Sequence, residues 1–536
     1  MESINKKLLR QGFIHLNSGN LNSSVEIGVK LLNLDPSDIE ATILLGLAYY
    51  KQKKYENSIN YLHHAAIKKP FDKAIRIFYI ENLIKIDKFQ EALVIIENSN
   101  KLIDQELRII LKSTVLEKLG RFSEVIDELK MLTSNKFNLK KNELLAWNYE
   151  LINNVNKAKF AAKAGLQIEI KNFKCNIVLV KCYLRKQKLK KVKKHLKQID
   201  TSKISKVNFS IYYTLKGQYF EKIKKYNKAF NNYTKANLKL IETDEYKFLK
   251  GNNYYTKEVL ERIKSYYSGY PKYNLLIPSE EKIVFMLGFP RSGTTLLENI
   301  LKTHSKIKTI EEKPTLDGLL SYIFNKNNNI EDITNFDKKT LDKLQAQYII
   351  DRNKFTDTNK KLIIDKLPLN LMHIGFIYRI FPNAKFILSI RDIRDVALSC
   401  YFQSFKINDA MANFLNWENT CNYLTSLILT GLDIIEKYPI NIILVEYEEL
   451  VKNPFKLTAE IIEFLGLEWE NSMFNYRKKI KGRNINTPSY SMVNNKITTQ
   501  QTQKWKNYKS HVDIIDVETI RTRLNTIFKN RKVLVG

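Results

Sequence analysis

Twenty residues, Lys282 to Leu301, KIVFMLGFPRSGTTLLENIL, constrain this chain more than any others. Lys282 to Leu287 is almost wholly apolar, the pattern of a strand buried on both faces of a parallel sheet. Gly288-Phe-Pro-Arg-Ser-Gly293 supplies turn residues, and Leu296, Leu297, Ile300 and Leu301 then return at helical spacing. Strand, glycine-bounded loop and helix N-terminus make an anion site, because free N–H groups and the positive end of the helix dipole converge on what the loop encloses. The spacing G-x-x-x-x-G-T-T is that of a Walker A loop with Thr294 in the lysine position. Loss of that lysine argues against a nucleoside triphosphate. Arg291 offers a different cation, whose planar fork suits phosphate or sulfate oxygens.

At 536 residues the chain is too long for one ordinary domain, and 44% hydrophobic residues suffice for full cores. The formal charge of +32 is spread through Lys-rich helices alongside abundant Asn and Ile. It reads as residue usage more than as a nucleic-acid footprint, and no nucleic-acid partner is expected. Cys175, Cys182, Cys400 and Cys421 form no CxxC pair and have no His at metal-ligand spacing, so buried thiols in a reducing compartment are expected and no metal. MESINKKLLRQGF lacks the apolar core of a signal peptide, and no run approaches the ~18 apolar residues of a membrane helix. A cytoplasmic protein without a membrane span is the expectation.

The N-terminal half repeats. Gly12 and Gly46 are 34 residues apart, as are Pro36 and Pro70. A bulky apolar residue followed three positions later by a small or β-branched one recurs as Leu21/Ser24, Tyr55/Ser58, Phe89/Ala92, Phe122/Val125, Val155/Ala158, Leu189/Val192 and Tyr226/Ala229, at intervals of 34, 34, 33, 33, 34 and 37. A period near 34 is that of tetratricopeptide (TPR) helix pairs. Such arrays curve into grooves that commonly hold peptides or position a partner domain, so a peptide or protein in the groove is the expected partner. Gly, Tyr and Pro break the period, giving a helical repeat domain over 1–250, a junction over 251–275 and a second domain over 276–536.

That second domain reads as α/β. Short apolar runs at Leu362–Asp365, Lys385–Ile390 and Asn441–Val445 alternate with helical stretches, which indicates a mostly parallel sheet covered by helices. Ligands of such sheets sit beyond the C-terminal strand ends. There the sequence places the anion loop, then Asp365-Lys366, then Arg391-Asp-Ile-Arg394-Asp395 with Ser399 beyond, then Glu446-Tyr447. Arg391 and Ser399 form a second candidate anion site, so the expected ligand carries phosphate at two ends. Asp365 only superficially matches a Walker B aspartate.

The segments FPRSGTTLLENILKTHSKIKTIEEKP, IIDKLPLNLMHIGFIYRIFPNAKF and RDIRDVALSCYF resemble the nucleotide-binding region of sulfotransferases that use 3′-phosphoadenosine-5′-phosphosulfate (PAPS). They are most similar to the protein-tyrosine sulfotransferase branch and to bacterial proteins joining TPR repeats to a sulfotransferase domain. The resemblance implies a TPR α-solenoid followed by a P-loop-like α/β sulfotransferase fold. It also implies that Arg291, Ser292, Gly293, Thr294 and Thr295 bind the 5′-phosphosulfate, and that Arg391 and Ser399 bind the 3′-phosphate. By the same resemblance Glu312 is the general base, Lys366 stabilises the transferring sulfuryl group, and Tyr447 lies near the nucleotide. The resemblance further implies that Lys504-Trp505 closes over the cofactor, with Ser489 or Ser491 on the closing loop. Adjacent Glu311 is an alternative base. PAPS would be released as 3′,5′-ADP. The expected acceptor is a peptide or protein tyrosine, with a carbohydrate or small molecule as the alternative. His304-Ser305 and Ile393 depart from the family pattern, which usually has Pro at positions 305 and 393.

Overall fold

A computed structural model describes residues 4–202, 204–251, 254–269, 272–273, 275–324, 330–356, 361–405, 407–475 and 502–531. The chain forms two compact units that divide between Asp200 and Thr201. Among the described residues, no helix is long and apolar enough to cross a membrane.

The first unit is a run of helix pairs, from Ile4–Ser18 with Leu21–Leu34 to Phe173–Arg185 with Leu189–Gln198. Each bulky residue of the 34-residue pattern is the first residue of the second helix of its pair. Two positions earlier, every pair has a residue in the left-handed region: Gly19, Lys53, Asp87, Gly120, Asn153, Gln187 or Lys224, with φ from 52° to 85°. That geometry lets the next N–H cap the first helix, as Lys54 N donates to Tyr49 O and Lys225 N to Phe220 O, both at 2.9 Å. A side chain in this region costs about 1 kcal/mol, so the cap and the packing it permits must offset that strain. The small residues three positions into each second helix (Ser24, Ser58, Ala92, Val125, Ala158, Val192, Ala229) are fully buried where the paired helices approach. Ser58 Oγ also donates to Gly46 O across that contact, at 2.7 Å. The last pair, Lys206–Lys222 with Tyr226–Ile241, keeps the repeat's pattern but lies in the second unit.

The second unit is built on five strands: β1 (Ile283–Gly288), β2 (Ile307–Glu311), β3 (Leu362–Lys366), β4 (Lys385–Ile390) and β5 (Asn441–Glu446). Their order is β2-β3-β1-β4-β5, and every pairing is parallel. Alternation along the strands feeds two cores. Phe285, Leu287, Phe386 and Leu388 face one core, under the helix Trp417–Lys437. Val284, Met286, Ile364 and Ile387 face the other, with the helices Thr294–Leu301 and Pro454–Phe464. β2 has no counterpart in the strands read from the sequence. It is an edge strand buried only at Ile307 and Ile310, too polar to stand out as an apolar run.

Asp365 on β3 is fully buried, and its Oδ2 accepts from Thr315 Oγ1 (2.6 Å) and Tyr348 OH (3.1 Å). It is a core residue, which removes the Walker B resemblance. Burial pushes its carboxyl from the usual 3.8 up to about 6, against the pull of those two hydrogen bonds. Between pH 4 and 6 the folded state therefore holds a proton that the unfolded chain has released, and stability falls as pH rises through that window. Asp365→Asn should raise stability by up to roughly 3 kcal/mol at pH 7 and change it little at pH 3.5, as read by denaturant unfolding at the two pH values.

Candidate active site

The C-terminal ends of all five strands deliver polar side chains to one edge of the sheet. From β1 the chain enters the loop Gly288–Gly293 and then the helix Thr294–Leu301. Gly293 has φ 99°, and a Cβ there would run into the Tyr447 ring at the end of β5. Gly288 has φ 151°, and a Cβ there would overlap the Ser389 carbonyl of β4. Both glycines are thus required by close approach as well as by backbone conformation. The Ser292 hydroxyl points back into the loop, donating to Phe289 O at 2.9 Å, so it holds the loop's shape. Thr294 and Thr295 are buried at the helix start.

Arg291, itself at φ 71°, directs its Nε to Ser399 Oγ at 3.0 Å. Arg391 donates from Nη1 to Arg291 O (3.4 Å), pairs with the buried Asp395 (3.4 Å) and lies 4.8 Å from the centre of the Tyr447 ring. The two anion sites inferred separately from the sequence are therefore joined, with Arg291 reaching from one into the other. The helix Ile393–Tyr401 carries both Asp395 and Ser399, and the Asp392 side chain caps it by accepting from Arg394 N.

Lys366, the last residue of β3, is completely buried and faces three carboxylates. Its Nζ is 2.7 Å from Glu312 Oε1, 3.3 Å from Glu298 Oε2 and 4.0 Å from Glu311 Oε1. Burial alone would lower the ammonium's pKa, but Glu298 and Glu312 outweigh it and the net shift is upward. Glu298 is also fully buried. Burial raises its carboxyl, yet Lys366 and Lys302 overcome this and hold it below the usual range. Glu311 goes the other way, raised by burial and by the Glu298 charge. Glu312 follows β2 at φ 48°, and its N–H donates to Lys366 O at 2.8 Å, which ties the strained residue to β3. Its side chain is 41% exposed against 19% for Glu311.

Lys504 pairs with Glu221 at 2.7 Å, on the helix Lys206–Lys222. Its neighbour Trp505 donates its backbone N–H to Asp395 Oδ1 (2.8 Å) and lies under the Arg394 guanidinium, 3.4 Å from the ring centre. Ser489 and Ser491 lie outside the described residues. His304 and His373 are buried; His304 bonds Glu468 O and Lys306 N, and His373 stacks on Tyr254.

A family model described as "Sulfotransferase family" matches residues 284–471, which span this whole constellation up to Tyr447. Residues 284–471 are a sulfotransferase-family domain. A second model, described as "Anaphase-promoting complex, cyclosome, subunit 3", matches residues 17–99 among the helix pairs. The chain is thus similar to the sulfotransferase family over residues 284–471, following helix pairs that keep the TPR-like period. It is 31% identical over 54% of its length to an uncharacterized protein of Aquifex aeolicus and 24% identical over 38% to protein-tyrosine sulfotransferase 2 of Gallus gallus. It spans only 39% and 55% of those two relatives. A solved sulfotransferase domain from the Synechococcus PCC 7002 olefin synthase is similar over 44% of this chain and 91% of that one, with 19% identity and a TM-score of 0.32.

Within the sulfotransferase domain, Glu298 and Asp395 were not singled out from the sequence. The signal for Glu298 was a charged residue within the apolar helix pattern TTLLENIL, where an unpaired carboxylate would be prohibitive. For Asp395 it was the i,i+4 relation to Arg391. Removing the central cation leaves buried carboxylates uncompensated. Lys366→Met should therefore cost about 3 kcal/mol of stability at pH 7, measured by denaturant unfolding.

Proposed function

We propose that the protein transfers a sulfuryl group from PAPS to an acceptor hydroxyl, with a peptide or protein tyrosine as the leading acceptor class. The observation that carries this reading is the Lys366–Glu312 pair at 2.7 Å, at the ends of two strands beside the glycine loop. The donor set fits the substrate's chemistry. Arg291, Arg391 and the N-terminus of Thr294–Leu301 suit the phosphosulfate and the 3′-phosphate, with Ser399 as a further hydrogen-bonding partner. Tyr447 and Trp505 supply aromatic surfaces beside them.

Sulfuryl transfer is an in-line displacement in which positioning and charge stabilisation do most of the work. The acceptor oxygen forms a bond to sulfur as the bond from sulfur to the 5′-phosphate oxygen breaks. The acceptor proton passes to Glu312, and the electron pair leaves with 3′,5′-ADP. Lys366 and Arg291 offset the charge that develops on the transferring and leaving oxygens. Glu312 is better placed than the adjacent Glu311 to act as base, because its side chain is more open to an incoming acceptor. Protein-tyrosine sulfotransferases among the relatives favour a tyrosine acceptor, and the helix pairs would serve as a protein-interaction module for it. The cysteines, buried and free among the described residues, agree with a cytoplasmic setting.

Incubation with ³⁵S-PAPS and a mixture of tyrosine peptides, glycans and phenols tests the reading. Label should appear on tyrosine peptides; labelling of glycans or phenols alone would refute the acceptor class. No label anywhere, together with no binding of 3′,5′-ADP, would refute the sulfotransferase assignment. Glu312→Ala should lower kcat by roughly 10²–10⁴-fold while leaving 3′,5′-ADP affinity essentially unchanged.

A further inference from the structure

The helix pair Lys206–Lys222 and Tyr226–Ile241 shares the repeat's pattern, yet its Ala229, Phe230 and Tyr233 are buried against Leu398, Tyr401, Phe402 and Tyr508. Tyr233 stacks on Phe402 at 4.0 Å and Phe230 on His511 at 3.8 Å. Asn237 Nδ2 donates to Tyr401 O (2.9 Å), and Tyr401 OH donates to Thr234 Oγ1 (3.0 Å). The helix Ile393–Tyr401, which presents Ser399 to Arg291, thus ends against this pair.

Glu221 stands at the other contact. Its Oε1 takes both Lys504 Nζ and Tyr508 OH at 2.7 Å, and its Oε2 takes Tyr233 OH at 2.9 Å. Burial would raise this carboxyl, but Lys504 and the hydrogen bonds hold it below the usual value, so it is ionised at neutral pH. Lys504 is followed by Trp505, whose N–H holds one oxygen of Asp395 while Arg391 faces the other. The Trp505 indole N–H is shielded from solvent and finds no acceptor among the described residues. A continuous chain of contacts therefore runs from Glu221 through Lys504, Trp505 and Asp395 to Arg391.

We infer that Glu221 is a positioning residue for the nucleotide, acting through the 504–508 segment on Asp395 and Arg391. The inference rests on the proposed role of Arg391 and Ser399 as nucleotide ligands. Its physical basis is preorganisation. A segment held in place before the nucleotide arrives does not charge its ordering entropy against binding. Loss of the Glu221 charge leaves Lys504 half-buried without its counter-ion and frees the segment to rearrange. The last helix pair is then part of the nucleotide site, a role distinct from acceptor binding.

A double-mutant cycle on the full chain tests this, with 3′,5′-ADP affinity measured by titration calorimetry for wild type, Glu221→Gln, Lys504→Gln and the double variant. Glu221→Gln should weaken binding roughly tenfold, and that loss should vanish in the Lys504→Gln background. With PAPS as the varied substrate, KM should rise and kcat at saturation should hold, a split that general destabilisation would not produce. Tyr508→Phe strips one donor from the same carboxylate, keeps the ion pair, and should lose about threefold; it is the readout if Glu221→Gln does not fold. Wild-type affinity in whichever variants fold, or an equal loss with and without Lys504, overturns the inference while the site assignment stands. Absence of 3′,5′-ADP binding by the wild type overturns both.

Discussion

The second unit turns on one fully buried ammonium. Lys366 ends a strand beneath the glycine loop, and no water reaches it, so its charge persists only because Glu298, Glu311 and Glu312 surround it. This arrangement fixes three elements against one another: the helix after the loop, the edge strand β2, and β3. The left-handed Glu312 is held by the same contact, through its N–H to the Lys366 carbonyl and its carboxylate to the Lys366 ammonium. A strained residue tied to a buried charge is a common arrangement where geometry must be preset for chemistry.

Partition of charge across this site follows from burial. Glu298 is fully buried between Lys366 and Lys302, whereas Glu312 is partly open. Glu312 can therefore move away from Lys366 without leaving the ammonium unpaired. On the far side of the loop Asp395 has the equivalent place for Arg391, enclosed and bonded also to Trp505 N. Lys366 and Arg391 thus each have a buried carboxylate beside them, and the tail segment is secured to that of Arg391.

Much of this was legible in the sequence. The Leu21, Tyr55, Phe89 series marked the start of every second helix in the repeats, because the 34-residue period returns each helix pair in the same register. The glycine spacing around Arg291 located the strand-to-helix loop, because close contact with Ser389 and Tyr447 leaves no room for a Cβ. What escaped was weakly patterned. β2 is an edge strand with two buried residues, so alternation could not mark it. Most of the left-handed turn residues are Lys, Asp, Asn or Gln, so no glycine flagged them. Two of the seven are glycine, and only those carried a local signal.

The sequence by itself determined the repeat period, the alternation of strands and helices, and the set of cations gathered at strand ends, since each follows from local periodicity and the two-residue or 3.6-residue geometry of the backbone. Only the tertiary structure decided which charges neutralise which. It joined Arg291 to Ser399, set Glu298 beside Lys366, and brought Glu221 to Lys504 across 283 positions of chain (504 − 221). Pairings of that kind depend on the low dielectric and close packing of a folded interior, which no local pattern encodes.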